Sequence, residues 1–126
     1  MSHTVAYNSE AHLIETRVQG ILTMEEAKEI ISEIIQAGKS SNCYLCLSDY
    51  REAELDLSVI ELYNVPRIIA RESAAQGLLA NKFKRAIVVK RDLKDFYFFE
   101  TVTLNSGQNA KLFEDIDEAK KWLSDR

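Results

Sequence analysis

The regular alternation of strand-like and helix-like segments is the feature that most constrains how this chain can fold. Arg85–Lys90 reads RAIVVK, with three β-branched residues flanked by charge, which is typical of a strand. Tyr44–Leu47 is a shorter apolar run of the kind found in a sheet covered on both faces. Because strands separated by helices need crossover connections, the alternation predicts an α/β fold in which helices pack on a mixed, mostly parallel sheet.

Short local signals mark the ends of the predicted elements. Thr23 and Glu26 form a capping-box pattern before a stripe of isoleucines, and Gly38 stands where that helix is expected to stop. Asn8–Glu10 has the composition of a hairpin turn, and Pro66 predicts a kink or a division into two short helices. The predicted order is β-β-α-β-α-β-α-β-α in one domain, 1–126. The strands are predicted at Val5–Tyr7, His12–Gln19 (ended by Gly20), Tyr44–Leu47, Arg85–Lys90 and Ala110–Phe113. The helices are predicted from the Thr23 cap to just before Gly38, at 57–70, at 92–104 and from Asp115.

Composition and charge argue against several classes of protein. With 46% hydrophobic and 29% charged residues, the chain is typical of a globular domain. Its net charge of −4 argues against non-specific binding to nucleic acids or anionic membranes. The N-terminal residues lack the pattern of a signal peptide, and no apolar stretch approaches the roughly 20 residues of a membrane span. We therefore expect a cytoplasmic protein without membrane insertion.

Cys43 and Cys46 have the spacing of a C-x-x-C motif, but their surroundings predict a strand. Residues three apart on a strand point to opposite faces and lie roughly 10 Å apart, which is too far for a disulfide. The chain has no second cysteine pair to complete a zinc site, and His3 and His12 are distant in sequence. We expect two buried, inert cysteines, no metal site and no cofactor.

The sequence lacks the common motifs of nucleotide-binding proteins and of serine hydrolases. Its four glycines are isolated, so it contains neither a phosphate-binding loop nor a nucleophile elbow. These observations predict a protein that is not an enzyme. A basic cluster around the Arg85–Lys90 strand is interpreted as protection of a strand edge or, alternatively, as a docking surface for an anionic partner. Its members are Lys82, Lys84, Arg85, Lys90, Arg91 and Lys94.

Four consecutive aromatic residues lie in the helix predicted at 92–104. Phe96, Tyr97, Phe98 and Phe99 span most of a helical turn, so they cannot all face one core. We expect them to combine core packing with a homodimer interface. The alternative is an apolar pocket for a small ligand between this helix and the sheet.

Several strings along the chain resemble the SpoIIAA-like branch of the STAS superfamily, which is named after sulfate transporters and anti-sigma factor antagonists. They are Ile14–Gly20, Leu45–Tyr50 (LCLSDY), Asp56–Ser58 (DLS) and Lys84–Val89 (KRAIVV), and the resemblance in element order extends over about residues 10–124. The resemblance implies a central mixed sheet with helices packed on it. It also implies action through protein contacts, and this branch is compared with CRAL-TRIO lipid-binding domains.

Ser58 has two alternative explanations. Anti-sigma factor antagonists carry an Asp-Ser-Ser-Gly type motif whose second serine is phosphorylated, and the resemblance places Asp56 at its Asp and Ser58 at that phosphoacceptor. Leu57 and Val59 stand where the motif has serine and glycine, and Val59 crowds the approach that a glycine would leave open. Ser58 and Glu61 alone also form a capping box. We expect a helix cap, with a regulated phosphosite as the alternative.

Two functional hypotheses from different classes result. The first is a non-catalytic interaction module, acting as a homodimer or with a regulatory protein partner. Its contact surface is the predicted loop Asp49–Glu54 together with the start of the next helix, including Asp56. The second is a protein that binds a small apolar, lipid-like molecule in a pocket beside the aromatic helix. The polar contacts predicted for that ligand are Tyr50, Arg51, Tyr63 and Arg67.

Overall fold

The computed structural model describes residues 2–90, 100–101 and 106–125, and its centre is a five-stranded mixed sheet. The strands lie side by side in chain order, so each new strand is added at the same edge. The first pair is an antiparallel hairpin, as the Asn8–Glu10 turn predicts, and the other three pairs are parallel. The strands are β1 (Ser2–Asn8), β2 (Leu13–Leu22), β3 (Leu45–Leu55), β4 (Lys84–Val88) and β5 (Asn109–Phe113).

Helices connect the parallel strands, which confirms the predicted α/β class. α1 (Met24–Ser41) joins β2 to β3, and α2 (Val59–Ala75) joins β3 to β4 through a short 3₁₀ helix at Ala80–Lys82. Between β4 and β5, residues 100 and 101 are helical, whereas the rest of the helix predicted at 92–104 lies outside the described residues. α3 (Ile116–Ser124) follows β5. In the part of the chain that the structure describes, no helix is long and apolar enough to cross a membrane.

The largest difference from the prediction is the length of β3. Residues 49–54, predicted as a charged loop, continue the strand, and Gly20 does not end β2. Gly20 pairs with Ala53, and Leu22 pairs with Leu55, so the two strands remain parallel neighbours to their ends. This pairing satisfies backbone N–H and C=O groups whatever the side chains are, which explains how a polar sequence forms a strand here.

α1 and α2 both run past the residues predicted to interrupt them. α1 continues through Gly38 to Ser41, and Asn42 caps it in a left-handed conformation with φ of 53°. Position 38 is a glycine for a different reason, because a Cβ atom there would lie 2.8 Å from Cε1 of the buried Phe83 ring. α2 is one helix that contains Pro66, so the predicted division into two helices is wrong.

The apolar residues of the sheet pack against helices on both of its faces. α1 and α2 cover one face, and α3 covers the other. In α3, Ala119 and Leu123 are buried as predicted, whereas Trp122 is half-buried. The core on the α1–α2 face includes Ile14, Ile31, Ile35, Cys46, Ile68 and Phe83.

Both cysteines are buried and free, as predicted. Cys43 precedes β3 and its thiol donates to the carbonyl oxygen of His12 at 3.3 Å, while Cys46 lies in the core on the α1–α2 face. Burial raises the pKa of Cys46 to about 12, so this thiol stays protonated. A protonated and inaccessible thiol is neither a good nucleophile nor a good metal ligand.

Candidate functional site

A cavity lies between α1, α2 and the face of the sheet that these helices cover. Its volume is about 80 Å³, and a cavity needs roughly 10–15 Å³ to hold one water molecule. The cavity therefore has room for several water-sized groups. Most of its wall is aliphatic and comes from Ile30, Ile31 and Ile34 of α1 and from Leu62, Val65 and Ile69 of α2.

Among the described residues, one charged side chain lines this cavity, Arg85 of β4, and it is only 8% exposed. Its Nη2 donates to Oε1 of the buried Gln108 at 2.8 Å, and Gln108 Nε2 donates to the carbonyl oxygen of Pro66 at 2.7 Å. Among the described residues, no group accepts a hydrogen bond from Arg85 Nε, and no carboxylate lies within ion-pair distance of the guanidinium. The Gln108 bridge thus holds a positive charge in the cavity that none of the described residues neutralises.

The titratable groups that interact with this guanidinium are themselves neutral. Burial raises the pKa of Tyr50 to about 12, and the pKa of Cys46 is raised to the same value. Burial also lowers the pKa of Arg85 from its ordinary value, but an arginine starts so high that it stays a cation near neutral pH. Ser48, which lies between Cys46 and Tyr50 on β3, adds a neutral hydroxyl to the cavity wall.

The start of α2 forms a second candidate site, on the surface. The Ser58 side chain accepts from Glu61 N at 3.1 Å, and Ser58 N donates to the Glu61 carboxylate at 2.9 Å. This reciprocal pair is the predicted capping box. In the first turn that it holds, Val59, Ile60 and Tyr63 are exposed apolar side chains, which we call the α2 patch.

Asp49 and Arg51 form an ion pair that is separate from the cavity. Arg51 donates from Nε and Nη2 to the two carboxylate oxygens of Asp49, at 2.9 and 2.8 Å. These hydrogen bonds lower the pKa of Asp49 below its usual value. Asp49 directly precedes Tyr50 on β3, so its side chain lies on the opposite face of the strand from Tyr50. Each partner satisfies the other, so neither charge is left free for a ligand.

Only one of the four polar ligand contacts predicted from the sequence lines the cavity. That residue is Tyr50. Arg51 is engaged with Asp49, and Tyr63 and Arg67 lie on the exposed side of α2. The predicted aromatic group, Phe96–Phe99, lies outside the described residues.

The basic cluster predicted around β4 does not form one surface among its described members. Lys82 stacks over the ring of Tyr44, with Nζ 4.6 Å from the ring centre. Lys84 donates to the backbone oxygens of Trp122 and Asp125 at the end of α3. Arg85 points into the cavity instead. Arg91 and Lys94 lie outside the described residues.

His3 links β1 to α1 through two glutamates. Its Nδ1 lies 3.1 Å from a carboxylate oxygen of Glu26, and its Nε2 lies 2.6 Å from one of Glu33. Burial lowers the pKa of His3, but the two carboxylates outweigh it and the net pKa is raised above 6.5. Ligand atoms of His3, Glu26 and Glu29 lie within 4.8 Å of one another, as a metal site would require. The carboxylates of Glu26 and Glu33 already contact both imidazole nitrogens, so the ring contacts do not require an ion.

Sequence reasoning missed the buried role of Arg85 because it grouped this residue with its basic neighbours. The signal was present in the alternation of β4. Arg85, Ile87 and Val89 are two residues apart, so they share one face of the strand. When a charged residue lies on the same face of a central strand as two β-branched residues, its side chain is expected to point into the protein.

No protein-family model matches the sequence, and no curated protein matches it. Solved structures match it over nearly the whole chain. An anti-sigma factor antagonist from Mycobacterium paratuberculosis is 17% identical with a TM-score of 0.58, covering 98% of this chain and 96% of that one. An uncharacterized protein of the DUF3478 family with a SpoIIAA-like fold, from Shewanella loihica PV-4, is 20% identical with a TM-score of 0.56, covering 97% and 92%. At these identities the similarity concerns the fold alone.

Proposed function

We propose that this chain, which has the SpoIIAA-like STAS fold, is a non-catalytic binding module that holds a small apolar molecule between α1, α2 and the sheet. The observation that carries the proposal is the cavity, with its aliphatic wall and the buried Arg85. Ligand sites in proteins are typically concave and apolar, with a few well-placed polar groups that orient the ligand. This cavity has that composition.

The groups around the cavity favour binding over catalysis. Tyr50 stays protonated because of its raised pKa, and Ser48 has no histidine beside it in the cavity wall to act as a base. His3 hydrogen bonds to glutamates of α1, and His12 to Tyr7.

Several residues of the cavity wall are partly exposed, which offers a ligand a route of entry. Four of the described residues of its wall, Ile34, Tyr50, Leu55 and Leu57, are only half-buried, so parts of the wall lie near the surface. Leu55 ends β3 and Leu57 lies in the short segment before α2. We place the entrance at the end of β3, where the chain turns into α2.

Titration with 1-octanol, followed by heteronuclear NMR, tests this proposal. We expect saturable shifts of residues in the cavity wall, such as Ile31 and Leu62. The Ala27→Leu variant fills part of the cavity and should lose these shifts, while Ala70→Leu, the same change on the exposed side of α2, should keep them. An absence of saturable shifts in the wild-type protein refutes the proposal, as does equal binding by both variants.

A second candidate function, a protein-interaction module, is favoured by the α2 patch. Val59, Ile60 and Tyr63 are exposed together at one helix start, although single exposed apolar residues are common on proteins. The partner we propose for this surface is a second copy of the chain. The similarity in fold to an anti-sigma factor antagonist adds a regulatory protein as a further partner class.

Light scattering at micromolar concentration tests self-association through the α2 patch. Ile60→Asp should convert a dimer to a monomer because a buried, unpaired carboxylate is unfavourable in an interface. Leu79→Asp is a matched control, since Leu79 and Ile60 are both 74% exposed and lie on different parts of the surface. A monomeric wild-type protein, or an equal effect of both variants, contradicts the homodimer.

A further inference from the structure

We infer that the ligand of this cavity is a small carboxylate with a short or medium alkyl chain, whose carboxylate pairs with the guanidinium of Arg85. This inference rests on the proposed function, since it assigns a ligand class to the same cavity. Nothing in the apolar ligand proposal itself requires a charged group. The negative charge of the ligand is inferred from the surroundings of Arg85.

An arginine buried without a counter-ion is unusual in a protein. Charged side chains are seldom fully buried unless they are paired, because water stabilises an ion far better than an apolar interior does. Arg85 is 8% exposed, and its one hydrogen-bond partner among the described residues is the neutral amide of Gln108. No carboxylate of the described residues balances its charge, and an anion bound in the cavity would do so.

Among the described residues, the hydrogen bonds of Arg85 leave an N–H donor free for such an anion. A guanidinium has five N–H donors, and it binds a carboxylate with two parallel hydrogen bonds. Gln108 takes one donor on Nη2, while Arg85 Nε is without a partner among the described residues. The bridge from Arg85 through Gln108 to the carbonyl oxygen of Pro66 holds the guanidinium in one orientation.

The remainder of the cavity defines the rest of the ligand. Among the described residues, no lysine and no second arginine lines the cavity wall, so these residues provide one positive charge. A single guanidinium matches a monoanion better than a phosphate, which carries close to two negative charges near neutral pH. The aliphatic side chains of α1 and α2 suit an alkyl chain, and a volume of about 80 Å³ limits its length.

Calorimetric titrations of the wild-type protein with matched probes test the inference. Octanoate and 1-octanol share an eight-carbon chain and differ in the head group, while acetate has the head group without the chain. We expect octanoate to bind about tenfold more tightly than 1-octanol, since a charged hydrogen bond is worth that factor or more. Hexanoate and decanoate then locate the chain length that fits.

Two variants test whether the preference for octanoate over 1-octanol depends on Arg85. Arg85→Met removes the charge but keeps an apolar side chain of similar length, and it should bind octanoate no more tightly than 1-octanol. Lys82→Gln, the control, removes an exposed positive charge that stacks on Tyr44 and does not line the cavity. It should keep the wild-type preference. Circular dichroism establishes that each variant is folded.

The possible outcomes separate the inference from the proposed function. Tighter octanoate binding that disappears with Arg85→Met supports both. Equal binding of octanoate and 1-octanol refutes the anionic ligand and leaves the apolar ligand standing, and acetate binding as tight as octanoate also refutes the inference. If neither eight-carbon probe binds, both proposals fail. The comparison of octanoate with 1-octanol binding to the wild-type protein tests the inference even if Arg85→Met does not fold.

Discussion

Replacing Gly38 with alanine sets helix propensity against packing, and the structure indicates which effect is larger. Gly38 lies within α1, three residues before its end, and is buried. In an exposed helix interior, alanine is more favourable than glycine by about 1 kcal/mol. At this position the new methyl group would lie 2.8 Å from Cε1 and 3.1 Å from Cζ of Phe83, and 3.2 Å from the carbonyl oxygen of Cys43.

These contacts are too short to be relieved by a small movement. Carbon atoms pack best at roughly 3.5–4.0 Å, and the Phe83 ring is buried and packed edge-on against Tyr44 at a centroid distance of 5.2 Å. The Cys43 oxygen belongs to the backbone and closes the other side. Overpacking of a core costs about 1–3 kcal/mol. With enclosure on two sides we take the upper part of that range, so Gly38→Ala should destabilise by about 1–2 kcal/mol after the helix gain.

Urea denaturation followed by circular dichroism measures this effect, and a double-mutant cycle assigns it to the ring. Phe83→Leu makes room beside position 38, so Gly38→Ala should be neutral or stabilising in that background. Ala70→Gly, at an exposed interior position of α2, measures the helix propensity difference without a packing contribution. The reasoning is refuted if Gly38→Ala raises the free energy of unfolding by about 1 kcal/mol in the otherwise unchanged protein.

Three further predictions concern the cap, one histidine and the cysteines. Ser58→Ala should lower the free energy of unfolding by about 1 kcal/mol, whereas Ser58→Asp should retain most of the wild-type stability because aspartate caps helices equally well. Equal losses of stability for the two variants in urea denaturation would contradict the role of Ser58 as a cap. His3 has a raised pKa, so it should stabilise the wild type relative to His3→Gln below pH 6.5 and lose this contribution as pH rises through the raised value. A difference between the two proteins that does not change with pH in urea titrations would contradict this. Neither Cys43 nor Cys46 should react with a thiol reagent at about pH 8 unless denaturant is added, and mass spectrometry of native protein checks this.

Features that depend on neighbours in sequence were predictable. The Asn8–Glu10 turn forms the β1–β2 hairpin, and Ser58 with Glu61 forms the capping box read from the S-x-x-E pattern. Each of these requires only a few consecutive residues to hydrogen bond to one another. The alternation of apolar patterns likewise indicated the α/β class, because it reports which residues of each element are buried.

Features that depend on a distant partner were not predictable in the same way. Residues 49–54 look like a loop in isolation, yet pairing with β2 makes them a strand. Gly38 resembles a helix stop in the sequence. Position 38 is a glycine because a side chain there would clash with Phe83, which lies 45 residues further along the chain. In both cases the deciding contact joins elements that the chain brings together only on folding.

The candidate site also combines local features, which the sequence predicted, with features that depend on distant residues. From the sequence alone, the chain is an α/β protein with two buried cysteines, a capped helix after β3 and a resemblance to SpoIIAA-like STAS proteins. The tertiary structure moves the ligand hypothesis to the space between α1, α2 and the sheet, and it places Arg85 inside. The physical reason is that a local pattern sets which face of a strand a side chain lies on. Whether that face meets water, a helix or a cavity depends on how the elements pack together.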